Sequence, residues 1–257
     1  VNGNDNEDAE SQLTQQVCIF DKLPKHRALL EEYTGTWCGD CPRGYVGLAA
    51  MNRLYPDDFI ALSYHNSESE RKPDPMEVMP GSDYPSNISG FPSAWLDRAY
   101  EVDAYGGFNA SSTELGIDDA WKAVCGLLAE ANIDVKAELN ADKTAVEAKA
   151  NVSFPLEISN ARYGVEFVLV ADGLTGTADG WTQKNYYAKG KNGTDFSEPE
   201  FGQFVEANGN VSGLVFDDVA VATTRLTGEN QYLPEAIEED KVYELPATFQ
   251  LEKVKNT

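Results

Sequence analysis

The sequence is poor in positive charge. Its 257 residues hold 20 Lys and Arg against 43 Asp and Glu, a formal net charge of −23. A surface this acidic repels phosphate backbones, which argues against a nucleic-acid partner. Long apolar runs are missing too: no stretch approaches the roughly 18 residues that cross a bilayer as a helix. Histidine is scarce, and His26 and His65 make no close pair. The chain has no Gly-rich phosphate loop and no Ser/His/Asp arrangement, so neither phosphate-cradle chemistry nor a serine hydrolase is expected. Cysteine is sparse as well. Four residues, Cys18, Cys38, Cys41 and Cys125, are too few for a disulfide framework.

The opening stretch lacks the marks of a signal peptide. Residues 1–16, VNGNDNEDAESQLTQQ, have neither a positive nor an apolar segment. They read as a flexible acidic leader at the start of a processed protein, suited to a tether, or as an ordinary frayed terminus.

What the sequence does have is enough apolar content, 42%, for a sizeable core, and enough length for two domains. Over residues 17–130 strand-like and helix-like patterns alternate. VCIF (17–20), ALLEEYT (28–34), FIALSYH (59–65) and SAWLD (93–97) read as strands. The stretch after Cys38 reads as a helix to about Tyr55, with Tyr45, Leu48, Met51 and Tyr55 at helical spacing and Pro56 ending it. A second helix is expected where Ile117, Trp121, Val124, Cys125 and Leu128 share one face, with candidate caps at Ser111 to Thr113. This order predicts an α/β layer with partly parallel pairing. Over residues 131–257 apolar and polar residues alternate in short runs without a convincing helix. That pattern predicts an antiparallel all-β sandwich. Within it, residues 175–211 read as a long loop holding Trp181, Tyr186 and Tyr187, residues that either pack or line a ligand surface.

The chemistry concentrates at Trp37-Cys38-Gly39-Asp40-Cys41. A strand runs through Gly35-Thr36-Trp37 into a helix, placing Cys38 where helix N–H groups and the helix dipole favour a thiolate. Cys41 follows one turn later and deeper. That spacing lets it attack a mixed disulfide formed at Cys38. The same C-x-x-C also suits half of a zinc site or an inert structural disulfide, although no second pair of metal ligands is evident. Asp40 disfavours a nearby thiolate, so a moderately acidic Cys38 and reductase or isomerase work are expected.

The run EEYTGTWCGDC (31–41) resembles the strand-plus-active-site segment of thioredoxins and their periplasmic relatives. The resemblance implies that Glu32, six residues before Cys38, lies under the resolving cysteine and handles its proton. An exposed strand position for Glu32 is the alternative, since Glu31 sits beside it and strand neighbours face opposite ways. Gly90-Phe91-Pro92, just before a strand, resembles the cis-proline loop of that superfamily. There Phe91 and Pro92, with Trp37, Gly39 and Asp40, would dock an extended substrate backbone. Gly-Asp stands between the cysteines where many thioredoxins have Gly-Pro.

Residues 31–44, 59–67 and 74–98 together are similar to the 28-kilodalton outer-membrane protein family of Gram-negative anaerobes. That family implies exported lipoproteins with a thioredoxin-like domain followed by an immunoglobulin-like sandwich. No lipid-bearing cysteine stands at the head of this sequence, so an outer-membrane anchor, periplasmic or surface-facing, rests on the resemblance alone.

The expectation is therefore a leader (1–16), a thioredoxin-like domain (17–130) and a β-sandwich (131–257). Its expected activity is thiol–disulfide exchange with exported proteins or a redox partner protein. The redox-active Cys38–Cys41 pair would serve in place of any cofactor or metal. A surface binding protein using the same fold as a scaffold is the rival. Cys18 and Cys125 are expected as buried thiols or as a bridge. Residues 67–89, with Asp74, Met76, Glu77 and Met79, form an insertion expected to overhang the site.

Overall fold

The computed structural model describes residues 24–69, 73–78, 85, 87–105, 116–191, 198–227 and 231–254. The apolar run LLEEYT forms β1 (Leu29–Thr34), and a turn carrying both central cysteines leads into α1 (Pro42–Leu54). Pro42 opens the helix, where a missing N–H costs nothing. Then come β2 (Ile60–His65), β3 (Ser93–Leu96), β4 (Tyr100–Val102) and α2 (Ile117–Cys125). Asp118 and Asp119 lie in the first turn of α2, where the helix dipole favours them. This helix is shorter than its apolar stripe suggested. Leu128 lies beyond it, exposed, in a bridge to Lys25. The strand expected at 17–20, the caps expected at 111–113 and the leader lie outside the described residues.

The second half runs β5 (Asn132–Leu139), β6 (Ala145–Ser153), β7 (Gly164–Val165), β8 (Val168–Ala171), β9 (Gln183–Lys184), α3 (Gly202–Glu206), β10 (Asn210–Val211), β11 (Val219–Thr223), α4 (Thr224–Thr227), β12 (Gln231–Tyr232) and β13 (Tyr243–Gln250). The main sheet is mixed and has the order β4-β3-β1-β2-β11-β8. β1 and β11 both run parallel to β2, while β3, β4 and β8 pair antiparallel to their neighbours.

This sheet crosses the boundary expected near residue 130. Two of its strands, β8 and β11, come from the stretch expected to form a separate sandwich. Their composition explains it. VAVAT of β11 is apolar at nearly every position and buried at all but one, the mark of an interior strand rather than a half-exposed one. What remains of the expected sandwich is one three-stranded antiparallel sheet, β13-β6-β5, and two short ribbons, β9 with β10 and β7 with β12.

Apolar packing ties the halves together. On one flank of α1, Leu48 and Met51 join Ala94, Leu96, Ile117 and Trp121. On the other, Val46 joins Phe201, Phe204, Phe216 and Val219. The segment expected as a long loop therefore supplies part of the core. It folds into α3 and the β9–β10 ribbon, and it buries Tyr187, Phe201 and Phe204. Among the described residues no helix is long and apolar enough to cross a membrane.

Candidate redox site

Chain direction builds the site. Gly35 follows the C-terminal end of β1, an interior strand, and the Cys38 amide turns back to donate to the Gly35 carbonyl at 3.0 Å. Gly35 leaves no room for a Cβ, which would meet the Trp37 ring at 2.5 Å. α1 begins at Pro42 rather than at Cys38, with Cys41 as its N-cap. Cys38 therefore sits in the turn, three residues before the N-cap, and Cys41 is the sulfur at the positive end of the helix. Cys38 and Cys41 form a disulfide with a Cα–Cα distance of 5.4 Å. Both residues are buried, with 6% of Cys38 and 1% of Cys41 exposed. Trp37 donates its indole N–H to the Asn66 carbonyl at 2.8 Å, and Asp40 stands half-buried at the rim.

The proline loop faces the cysteines. The Phe91–Pro92 bond is cis and immediately precedes β3, the antiparallel neighbour of β1. The Phe91 carbonyl oxygen lies 3.6 Å from Cys38 Sγ. The Phe91 ring meets Trp37 edge-on, with centroids 5.5 Å apart.

Glu32 lies beneath. Its carboxyl sits directly under the first turn of α1, where a Cβ on Gly44 would come within 1.7 Å of Oε1 and within 3.3 Å of Pro92 Cβ. Ser63 donates to Oε2 at 3.2 Å, and Oε1 has no hydrogen-bond partner among the described residues. Burial pushes the Glu32 pKa up to about 7, with the positive field of His65 and the Ser63 hydrogen bond pulling the other way. A cavity of about 40 Å³ adjoins the carboxyl and is lined by Ser63, His65, Gln183 and Asp218 among others. That volume holds a water or two. Glu31 does face the opposite way, but it is equally buried. Arg98 holds both of its oxygens at 2.6 Å, so neither carboxylate is a surface residue.

Two further segments contribute to the site. The insertion, expected to overhang it, is one. Asp74 Oδ2 accepts from the Thr36 amide at 2.8 Å and meets His65 Nδ1 at 2.9 Å, while Oδ1 accepts from the Met76 amide. Burial alone would raise the Asp74 pKa, but His65 and these donors outweigh it and hold the group below its usual range. The described part of the insertion thus braces the redox turn from the side. Met79 lies outside the described residues.

The second contribution is the stretch Gln183 to Tyr187. Gln183 Nε2 donates to the Cys38 carbonyl at 2.7 Å, and the Lys184 amide donates to the Thr36 carbonyl at 2.7 Å. The Tyr186 amide donates to the Gly39 carbonyl at 2.9 Å, and Tyr187 Oη donates to the Asp40 carbonyl at 3.3 Å. The sequence marked Tyr186 and Tyr187 as aromatic but gave no sign of Gln183. A groove of about 500 Å³ runs beside Trp37, lined by Pro73, Thr182 and Lys184. Cys125 keeps a free thiol packed against the core. Its suggested partner, Cys18, lies outside the described residues. Among the described residues no three His, Cys, Asp or Glu side chains gather so as to hold a metal ion.

No family model and no curated protein matches the chain. Among solved structures it is similar to HBP35 of Porphyromonas gingivalis, with a TM-score of 0.52, 14% identity and 89% of this chain covered. The chain spans 65% of that protein's length. A structure from Agrobacterium tumefaciens, determined by a structural genomics consortium, matches at TM-score 0.42 and 15% identity, over 88% of this chain and 79% of that one. At these identities the first likeness concerns the fold alone.

Proposed function

We propose that the chain is an exported thiol–disulfide oxidoreductase of thioredoxin-like build. The observation that carries this reading is the Cys38–Cys41 disulfide set between the positive end of α1, the cis Phe91–Pro92 loop and the buried Glu32 carboxyl. Each neighbour has a chemical use. An incoming thiolate attacks Cys38 Sγ, the sulfur beside the Phe91 carbonyl. The Cys38–Cys41 bond breaks, a mixed disulfide forms at Cys38, and Cys41 leaves as a thiolate. Glu32, with a pKa near 7, is protonated often enough to give Cys41 its proton and ionised often enough to take it back. A second thiol on the donor then displaces Cys38. The donor dithiol ends as a disulfide, and the two electrons rest on Cys38 and Cys41. Run backwards, the same steps oxidise a partner. Trp37, Gly39, Asp40 and the Phe91–Pro92 loop form the rim against which a partner backbone would lie.

On this reading β1 to β4 with α1 and α2 form the thioredoxin-like unit, completed by β8 and β11. The β13-β6-β5 sheet is an accessory module of immunoglobulin-like origin. The motif resemblance to the 28-kilodalton outer-membrane family supports export, a lipid tether and protein partners.

The low exposure of Cys38 favours a second reading, a binding protein that keeps the fold as a scaffold and its disulfide closed. A redox titration separates the two. The oxidoreductase reading expects a midpoint in the range of roughly −270 to −180 mV and a stable mixed disulfide with a disulfide-bonded protein partner in Cys41→Ser, formed as the Cys38 thiolate displaces one partner sulfur, but not in Cys38→Ser. A disulfide that stays closed below about −300 mV, together with no trapped partner, supports the scaffold instead.

A further inference from the structure

The sheet, the helix and the proline loop alone would leave the Cys38 turn open on one side. Residues 183–187 close that side. They take the carbonyls of Thr36, Cys38, Gly39 and Asp40 through the four hydrogen bonds described above. The strap is itself fixed from behind. Asn185 is buried, donates to the Phe204 and Asn208 carbonyls at 2.7 and 3.1 Å, and accepts from the Tyr187 amide at 2.9 Å. One side chain of the strap faces outward over the motif. The Tyr186 ring lies flat against Gly39, where a Cβ would approach three of its carbons at 2.6 to 2.7 Å. Tyr186 is 45% exposed, and the Lys184 ammonium lies 4.8 Å from its ring centroid. The Tyr186 ring thus covers the residue next to Cys38, while Phe91, packed edge-on against Trp37, holds its carbonyl beside the sulfur.

We propose that Tyr186 is a specificity-determining residue that admits only slender thiols and disulfides to Cys38. An attacking sulfur must approach along the line of the bond it breaks. A low-molecular-weight thiol or a cysteine on an extended chain passes between the rings. A cysteine embedded in a folded face brings a broad surface, which meets the Tyr186 ring first. The inference rests on the exchange reading above and adds its substrate class.

The test measures how fast the disulfide of the full chain is reduced by three donors: dithiothreitol, an unstructured cysteine peptide and reduced thioredoxin as a folded dithiol. For the unaltered protein the first two donors are expected to outpace the third at equal thiolate concentration. Tyr186→Ala is expected to raise the rate with reduced thioredoxin about tenfold and to leave the dithiothreitol rate within about threefold, because access is what changes. Tyr186→Phe keeps the ring and is expected to behave as the unaltered protein. Tyr186→Leu keeps an apolar contact on Gly39 should the alanine variant fail to fold, and an intermediate ratio is expected from it. The comparison of peptide with dithiothreitol tells extended chains from small thiols. Equal acceleration by all donors in the alanine or leucine variant would mean simple loosening and overturns the proposal, as does an unchanged ratio. A disulfide that no donor reduces has a different signature and overturns the exchange reading itself.

Discussion

Two neighbouring carboxyls of β1 are buried on opposite faces of the sheet with different partners. Glu31 turns to one face of the sheet, where Arg98 grips both oxygens and Glu166 steadies the guanidinium in turn. Glu32 turns to the other face, with one oxygen on a serine hydroxyl and the other beside a water-sized space. Desolvation without a paired cation raises the Glu32 pKa to about 7. The consequence for stability has a definite sign. Between the ordinary carboxyl value of 4.5 and about 7 the unfolded chain has lost this proton while the folded one keeps it. Stability is fully present below 4.5 and is lost as pH rises through about 7, by an amount on the order of 3 kcal/mol. Glu32→Gln removes that loss. We expect the variant to melt close to the unaltered protein at pH 4.5 and well above it at pH 8, and to lose the step near pH 7 in the rate of disulfide reduction. Matching melting profiles across this range would show that Glu32 ionises as it does in water. Cys38 and Cys41 could be picked out from the sequence because their relation is local, a matter of offsets along a strand, a turn and a helix, whereas Glu32 and Pro92 stood out only through the resemblance to thioredoxins. Gln183 and Tyr186 could be placed at the site in neither way. Their contacts go to backbone carbonyls, which every residue offers, and Gln183 reaches Cys38 across 145 positions.

At the level of elements, α1 sets the depth of the site by lying close to the sheet. Two glycines on its inner surface make the approach possible, and they do different things. A Cβ on Gly47 would fall 1.9 Å from the Ala104 backbone oxygen, which cannot step aside. A Cβ on Gly44 would fall on a carboxyl oxygen of Glu32, which can rotate. Gly47→Ala should therefore cost about 1–3 kcal/mol by overpacking, read as a lower melting temperature. Gly44→Ala should act chiefly on the Glu32 titration, read as a displaced pH profile of reduction. Equal destabilisation by the two would contradict this division. The helices and most strands of the first half were evident from apolar spacing. α2 fell short because the apolar stripe continues past its end to Leu128, which is exposed and bridges to Lys25. Periodicity alone does not reveal where backbone pairing takes over from a helix.

For the whole molecule, the decisive feature is that the central sheet is assembled from both halves. β2 has β1 on one side and β11 on the other, and β8 lies beyond β11. A fragment ending at residue 130 would leave β2 as an open edge and uncover Val46 and Tyr64 on the two faces. We expect that fragment to show no cooperative melt and to aggregate, whereas the full chain unfolds as a unit that includes residues 168–223. A fragment that melts sharply would restore the division near residue 130. Alternation of apolar and polar residues identified the longer strands of the second half, but not the two-residue strands β9, β10 and β12. It could not assign β8 and β11 to a sheet, because sheet membership is fixed by which apolar face needs covering, and that face belongs to the other half.

The distance along the chain between the cysteines and their strap orders events in time. A ribosome releases residues 38–41 long before residues 183–187, so the turn is synthesised while nothing yet overlies it. The carbonyls of Thr36, Cys38, Gly39 and Asp40 gain their donors only when the last third of the chain arrives.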